Sequence, residues 1–149
     1  MCQPRGKCDV IIFSDFRHGI FNKTNIKILS NSIKKNVIKV ADSQVASRWG
    51  NILDFKKFDL ITPNEKEVRF SLADQDSSIS ELTRELSKLS GFKNLILKLG
   101  ERGTITVAKQ NNSLSFATPS FTKNVIDAVG AGEAILAYAS LCLASSKSI

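Results

Sequence analysis

Short runs of consecutive apolar residues alternate with longer amphipathic segments along most of the chain. Four such runs occur, each four to six residues long: 9–14, 37–41, 59–62 and 94–98. Strands that are buried on both faces of a parallel sheet have this continuous pattern. The segments between them repeat apolar residues every three or four positions, as amphipathic helices do. The pattern therefore predicts strand–helix–strand units with parallel strands and right-handed crossovers.

Residues that typically begin or end helices stand between the predicted strands. Asn22 or Thr24 is predicted to cap the first helix, because both side chains can accept bonds from free backbone N–H groups. Pro63 is predicted to open a second helix. Ser80 is predicted to cap a third helix that ends at Gly91. We therefore expect three helices between the parallel strands.

The last third of the chain departs from this pattern. Segments 104–108 and 114–117 are predicted to form a β-hairpin across residues 110–112. Residues 133–144 are almost all apolar or good helix formers, and they predict a final helix. The whole chain, 1–149, is therefore interpreted as one α/β domain with a mainly parallel sheet and an antiparallel edge hairpin.

The composition is that of an ordinary globular domain. The chain has 149 residues, of which 42% are hydrophobic and 23% are charged, so it can bury a core of its own. No apolar run approaches the roughly 20 residues of a transmembrane helix. The first residues also lack the apolar centre of a secretory signal. We therefore expect a cytoplasmic protein without a membrane partner.

The net charge of +7 is concentrated in the first part of the chain. Residues 1–59 hold 11 Lys and Arg against 5 Asp and Glu. Such a basic segment raises the possibility of nucleic-acid binding. However, its lysines lie at the polar positions of a predicted amphipathic helix and the following turn, and no aromatic residues interleave with them as in an RNA-binding motif. A solvated basic face is favoured, and we predict no nucleic-acid partner.

The three cysteines do not form a recognisable framework. Cys2, Cys8 and Cys142 are too few and too scattered for a set of disulfides or a zinc site, which favours a reducing compartment. Cys142 lies in the apolar C-terminal segment and is predicted to be a small core residue.

Each predicted parallel strand ends in a polar or glycine-bearing loop, and these loops share one edge of the sheet. Open α/β sheets bind ligands at that edge. Residues with useful chemistry are therefore expected there: Asp15, Asp42, Asn64, Glu67, Lys98, Gly100, Gly103 and Glu133.

The segment around Gly130 and Gly132 is the strongest candidate for an anion site. A β-branched run, 124–126, precedes the two glycines, and the final predicted helix follows them. Glycines let the backbone approach a ligand closely, and the first N–H groups of a helix are unpaired and lie at the positive end of its dipole. Glu133 would place a possible general base beside such a site. A tight turn that leads into a buried helix is the structural alternative.

Residues 127–133, Asp-Ala-Val-Gly-Ala-Gly-Glu, resemble the D-T-x-G-A-G-D signature of the ribokinase-like (PfkB) carbohydrate kinases. The resemblance implies that Gly130, Ala131 and Gly132 form an anion hole for the phosphate of ATP. Asp127 opens the signature. The last Asp of the family motif is the base that deprotonates the sugar hydroxyl, and Glu133 occupies its position here.

Two further motifs resemble parts of the same family. Asn64 and Glu67 match the ends of an N-x-x-E motif, which implies a role in placing Mg²⁺ and phosphate. A helix cap with an acid in the first turn is the structural alternative. The segment that contains Lys98, Gly100 and Gly103 resembles the family's nucleotide-side loop, and a simple β-turn is its alternative.

Segments 12–19 and 59–67 are similar to the heptose-phosphate kinase branch of the family. The resemblance as a whole covers roughly 9–144 and implies a ribokinase-like, Rossmann-type layered fold. Family members are about twice as long, and their N-terminal half supplies most of the sugar pocket. The chain is therefore interpreted as a partial domain, truncated at its N-terminal side.

Two functions are compatible with this resemblance. The first is an ATP-dependent carbohydrate kinase that uses ATP and Mg²⁺ on a sugar or sugar phosphate, with this chain as its nucleotide and anion-hole part. The second is a non-catalytic nucleotide-binding or assembly module on the same fold. Glu133 in place of Asp and the absent sugar half leave catalysis by this chain open. A strand edge exposed by truncation predicts self-association, as a dimer.

Overall fold

The fold is built on one six-stranded sheet. A computed structural model describes residues 8–44, 51–109, 114–122 and 129–146. The strands are β1 (Val10–Asp15), β2 (Ile38–Ser43), β3 (Leu60–Ile61), β4 (Asn94–Lys98), β5 (Thr104–Ala108) and β6 (Leu114–Thr118), and they neighbour one another in chain order. β1 to β4 are parallel, whereas β5 and β6 pair antiparallel. The predicted mainly parallel sheet with an antiparallel edge hairpin is confirmed.

In the described part of the chain, four α-helices cover the sheet: α1 (Lys23–Ser32), α2 (Glu65–Leu72), α3 (Ile79–Ser90) and α4 (Ala131–Ser146). The side chain of Asn22 caps α1, and Gly91 ends α3 in the left-handed conformation, both as predicted. The predicted cap at Ser80 is wrong, because Ser78 caps α3 instead. The Ser78 side chain accepts from the N–H of Glu81, whose carboxylate accepts from the N–H of Ser78, so the helix begins earlier.

The two faces of the sheet have separate cores. On one face, α1 to α3 pack over the sheet around a cluster of phenylalanines, namely Phe13, Phe55, Phe58 and Phe92. On the other face, α4 alone among the described helices packs against Val40, Leu60 and Ile96 through Leu136 and Leu143. Among the residues that the structure describes, three helices thus cover one face of the sheet and one helix covers the other.

α4 is apolar on almost every side but buries only one stripe. Its fully buried positions are Leu136, Ser140 and Leu143. The prediction that Cys142 is a core residue is wrong, because its side chain is exposed. An all-apolar helical sequence has no polar face to show which residues turn inward, so position 142 could not be assigned from pattern.

The carboxyl ends of β1 to β4 lie at one edge of the sheet, and the N-terminus of α4 reaches the same edge through Gly132 and Lys98. This confirms the predicted gathering of the strand ends. The predicted strand at 124–126 and the signature residue Asp127 lie outside the described residues. The hairpin turn predicted at 110–112 also lies outside them.

Candidate functional site

The N-terminus of α4 is the centre of the candidate site. α4 begins at Ala131, directly after Gly130, whose φ of +83° is in the left-handed region that favours glycine. The carbonyl of Gly130 accepts the first helical hydrogen bond, from the N–H of Ala134. A Cβ built on Gly132 would lie 3.3 Å from Nζ of Lys98. The helix start and an ammonium group are therefore in near contact.

Lys98 forms a buried ion pair with Asp42 across the sheet. Lys98 is the last residue of β4, and its Nζ donates to Oδ1 and Oδ2 of Asp42 at 3.1 and 3.2 Å. The two side chains are only 15% and 6% exposed. Burial raises the pKa of Asp42 above its ordinary value, and the attraction of Lys98 opposes that shift without cancelling it. The pair thus holds a desolvated cation beside the start of α4.

The carboxylate of Glu133 accepts a hydrogen bond from Gln44, a residue that was not among the site residues predicted from the sequence. Nε2 of Gln44 donates to Oε1 of Glu133 at 3.0 Å, and the two residues are 89 positions apart in the chain. Gln44 follows β2 directly, and its own N–H donates to the carbonyl of Asp15 at 3.0 Å. The nearby charge of Glu133 adds to the burial that raises the pKa of Asp42. Gln44 could have been suspected only from its position just after a predicted strand end.

Asn64 and Glu67 form a reciprocal cap at the start of α2. The Asn64 side chain accepts from the N–H of Glu67 at 2.9 Å, and the Glu67 carboxylate accepts from the backbone and side-chain N–H groups of Asn64 at 2.6 and 2.8 Å. Asn64 also bridges to Lys98 as a parallel neighbour of β4. The capping alternative is therefore present, next to the candidate site, and a role in binding metal or phosphate stays a prediction.

Gly100 and Gly103 bound a single helical turn between β4 and β5. The N–H of Leu99 donates to the carbonyl of Gly103 at 2.8 Å, and the N–H of Gly103 donates to the carbonyl of Gly100 at 3.0 Å. A Cβ on Gly103 would lie 2.0 Å from the carbonyl oxygen of Thr118, so only glycine fits there. Gly100 has no such neighbour within 4 Å. Packing against β6 thus explains Gly103 without a ligand, and a nucleotide role for either glycine stays a prediction.

Asp15 lies at the same edge but engages different partners. Its buried carboxylate accepts from the Arg17 side chain and, at 3.1 Å, from the hydroxyl of Ser43. Successive residues of a strand point to opposite faces, and Phe13, two positions earlier, belongs to the core of α1 to α3. Asp15 therefore points away from α4, and the predicted cluster divides between the two faces.

Three predicted residues meet at the start of α4, beside Gly130, Ala131 and Gly132. They are Lys98, Asp42 and Glu133.

Within the described ranges, no group of three or more His, Cys, Asp or Glu is arranged to hold a metal ion. Among the same residues, no helix combines the length and apolar character that a membrane span requires.

Comparisons with known proteins identify the family of the chain. Residues 19–149 match the pfkB family carbohydrate kinases. The bifunctional protein HldE of Marinomonas sp. is 28% identical over 149 residues, which cover 98% of this chain and 29% of HldE. Similarity to HldE proteins confirms the resemblance to the heptose-phosphate kinase branch. The chain thus spans less than a third of these relatives.

Solved structures show the same fold. Arabidopsis thaliana ribokinase, complexed with ribose and ATP, matches with a TM-score of 0.73 at 19% identity, over 94% of this chain and 44% of that one. Escherichia coli phosphofructokinase-2, in complex with substrates and products, matches with a TM-score of 0.75 at 16% identity, over 94% and 46%. The predicted ribokinase-like fold is confirmed, and this chain covers less than half of each of these two structures. With the family matched over most of its length, the chain belongs to the pfkB family of carbohydrate kinases.

Proposed function

We propose that this chain is the nucleotide- and anion-binding part of an ATP-dependent carbohydrate kinase, which transfers a phosphoryl group from ATP to a hydroxyl of a sugar or sugar phosphate. The observation that carries the proposal is the position of Lys98 Nζ, 3.3 Å from where a Cβ of Gly132 would lie. The ammonium group of Lys98 and the unpaired N–H groups at the start of α4 are then directed at the same position, and both would stabilise a phosphate oxygen bound there.

The residues present fit a nucleotide phosphate. Because Gly132 has no side chain, the backbone at the start of α4 can be approached closely. Gly130, Ala131 and Gly132 would donate their N–H groups, and Lys98 would supply a charge that Asp42 already holds in position. The positive φ of Gly130 turns the chain into the helix without strain. We assign these residues to the phosphates, and Gly100 with Gly103 to the nucleotide side.

The fit of Mg²⁺ to the site is less direct than the fit of the nucleotide phosphates. Magnesium bound with a nucleotide keeps several waters and needs only one or two carboxylates, so a cage of three acidic residues is not required. Glu133 lies in the first turn of α4, and Asp42, whose pKa its charge raises further, is paired with Lys98 beside it. Asn64 and Glu67 lie beside Lys98 and would bear on the metal or phosphate from the α2 side. When bound, MgATP supplies the phosphoryl group and neutralises its developing charge.

Glu133 is assigned as the general base. It stands in the first turn of α4, where a carboxylate can accept the proton of an attacking hydroxyl close to the anion site. A glutamate has one more rotatable bond than the aspartate of the family, and that bond must be fixed before the base can act. The hydrogen bond from Gln44 restricts this freedom. Gln44 is therefore a positioning residue in this proposal.

A non-catalytic nucleotide-binding or assembly module is the second candidate. The observation in its favour is that Gln44 already occupies Oε1 of Glu133. A module of this kind would bind MgATP without turnover in any context, which separates it from the kinase.

Isothermal titration of this chain with ATP, with and without Mg²⁺, tests the shared part of both candidates. We expect saturable binding of MgATP. Transfer of labelled phosphate to a sugar or sugar phosphate, by a protein that contains this chain and the rest of the kinase fold, then separates them. Absence of any MgATP binding would contradict the kinase and the nucleotide-binding module, and would leave an assembly module.

The acidic cap of α2 gives a testable prediction. We expect Glu67→Gln to lower the affinity for MgATP about tenfold, because a charge that attracts the metal is removed, and to leave the affinity for metal-free ATP unchanged. The matched control is Glu81→Gln, which alters the equivalent cap of α3 away from the site. The measurement is titration calorimetry on both variants. Equal effects of the two substitutions would identify Glu67 as a cap only.

Self-association is the last part of the proposal. Some kinase neighbours are oligomeric, as in the tetrameric inhibited form of Escherichia coli phosphofructokinase-2. We propose that this chain forms a dimer in solution at micromolar concentration.

A further inference from the structure

The turn between β4 and β5 makes few contacts that fix its position. It consists of Gly100, Glu101 and Arg102, and all three residues are exposed. The N–H of Gly103 closes the turn on the carbonyl of Gly100, and a Cβ built on Gly100 would meet nothing within 4 Å. Segments with few buried contacts open at a low cost in free energy. The position of the turn therefore depends on the contacts that its side chains make.

Arg102 connects the turn to the start of α2. Its guanidinium group donates to Oε2 of Glu65, the first residue of α2. Within the described part of the chain, this is the only side-chain hydrogen bond that residues 100–102 make. Because α2 follows β3 and the turn follows β4, the bond joins the ends of two neighbouring strands. The pair thus ties an otherwise exposed turn to the adjacent strand end.

Glu65 is itself fixed from a second side. Nε of Arg69 donates to Oε1 of Glu65 at 2.9 Å, and Nη1 of Arg69 donates to the carbonyl of Ser77 at 3.1 Å. Burial raises the pKa of Glu65, but the hydrogen bond from Arg69 and the charge of Arg102 outweigh this effect and hold the pKa below its ordinary value. A network of charges restrains its members more than an isolated surface pair does. Glu65 therefore offers Arg102 an ionised carboxylate in a fixed position.

The turn adjoins the candidate site at Lys98, the last residue of β4. The N–H of Lys98 donates to the carbonyl of Pro63 at 2.9 Å, two residues before Glu65. Nζ of Lys98 lies beside the start of α4, where we assign the phosphates of ATP. The same assignment places Gly100 and Gly103 on the nucleotide side, so the part of ATP left for the turn to contact is the nucleoside.

We propose that Arg102 and Glu65 are positioning residues, which hold the turn 100–102 where it contacts the nucleoside of ATP. This inference rests on the proposed function, because it takes a nucleotide as the ligand. Without the pair, the turn would have to be ordered when ATP binds, and ordering a segment lowers the affinity. Inorganic triphosphate, which has no nucleoside, should bind at the start of α4 independently of the pair. The pair therefore favours a nucleoside triphosphate over inorganic triphosphate.

Titration calorimetry with MgATP and with magnesium triphosphate tests this role. We expect Glu65→Gln and Arg102→Gln each to lower the affinity for MgATP about fivefold and to leave the affinity for magnesium triphosphate unchanged. The two substitutions change the net charge in opposite directions, so long-range attraction cannot explain a loss in both. The matched control is Glu85→Gln, which breaks an exposed pair with Lys88 on α3 and should change neither affinity. Equal losses for both ligands, or none for MgATP, would contradict the proposal.

The double variant with Glu65→Gln and Arg102→Gln tests whether the two residues act as a pair. Its affinity for MgATP should also fall only about fivefold, because the second substitution has no bond left to break. Losses that multiply to about 25-fold would mean that the residues act independently, and would overturn this inference alone. If the parent chain binds no MgATP at all, the kinase proposal fails together with the inference.

Discussion

Replacing Gly132 with valine is expected to abolish binding of MgATP while the domain stays folded. The new Cβ would lie 3.3 Å from Nζ of Lys98, and the two methyl groups would project into the space where a phosphate must approach the helix start. Loss of a charge-assisted bond and of close backbone contact corresponds to a decrease in affinity of at least about 100-fold. Titration calorimetry with MgATP measures this effect.

The matched control for this substitution is Ala134→Val, which places the same side chain on the exposed side of the first turns of α4. Circular dichroism and thermal unfolding should show that both variants fold, because only the end of the flexible Lys98 side chain must move to accommodate valine at 132. If the Gly132 variant binds MgATP as well as the parent chain, the glycine segment is a turn and nothing more.

Of all the proposed substitutions, Lys98→Met is expected to lower the free energy of unfolding most. It removes the counter-charge of a carboxylate whose side chain is only 6% exposed, and breaking a buried pair from one side costs about 3 to 5 kcal/mol. Lys98 itself is largely buried, and methionine fills a similar volume, so lost packing contributes little. Denaturant unfolding at neutral and higher pH measures the difference in the free energy of unfolding between the variant and the parent chain.

The effect of Lys98→Met should depend on pH in a defined direction. The folded-state pKa of Asp42 is raised, chiefly by burial, so the folded chain holds this proton more tightly than the unfolded chain does. For such a group, stability falls as the pH rises from about 4 through the folded-state pKa. Without Lys98 the pKa of Asp42 rises further, so the variant should lose more stability than the parent chain over the same range.

The double variant with Asp42→Asn and Lys98→Met is the control for this interpretation. It removes both charges, so its stability should recover relative to Lys98→Met alone and should no longer fall through this pH range on account of Asp42. A double variant as unstable as Lys98→Met, with the same pH dependence, would contradict a role for the buried carboxylate. Lost packing at position 98 would then explain the effect.

The sequence alone determined the features that depend on local pattern. Continuous apolar runs gave the four parallel strands, because a strand buried on both faces needs apolar residues at successive positions. The motif around Gly130 and Gly132 indicated the family, which the match over residues 19–149 confirmed. The sequence predicts the cap of α3 at Ser80 instead of Ser78 because both serines lie in one polar segment, and only the bond that the N–H of Ser78 donates to the carboxylate of Glu81 distinguishes them.

The tertiary structure decided which distant residues meet. The pair of Lys98 with Asp42 joins residues 56 positions apart, and the bond from Gln44 to Glu133 joins residues 89 apart. No periodicity links such positions, since their approach depends on strand order, on the face each side chain takes, and on where α4 crosses the sheet. Local pattern therefore specified the elements, and packing specified the site.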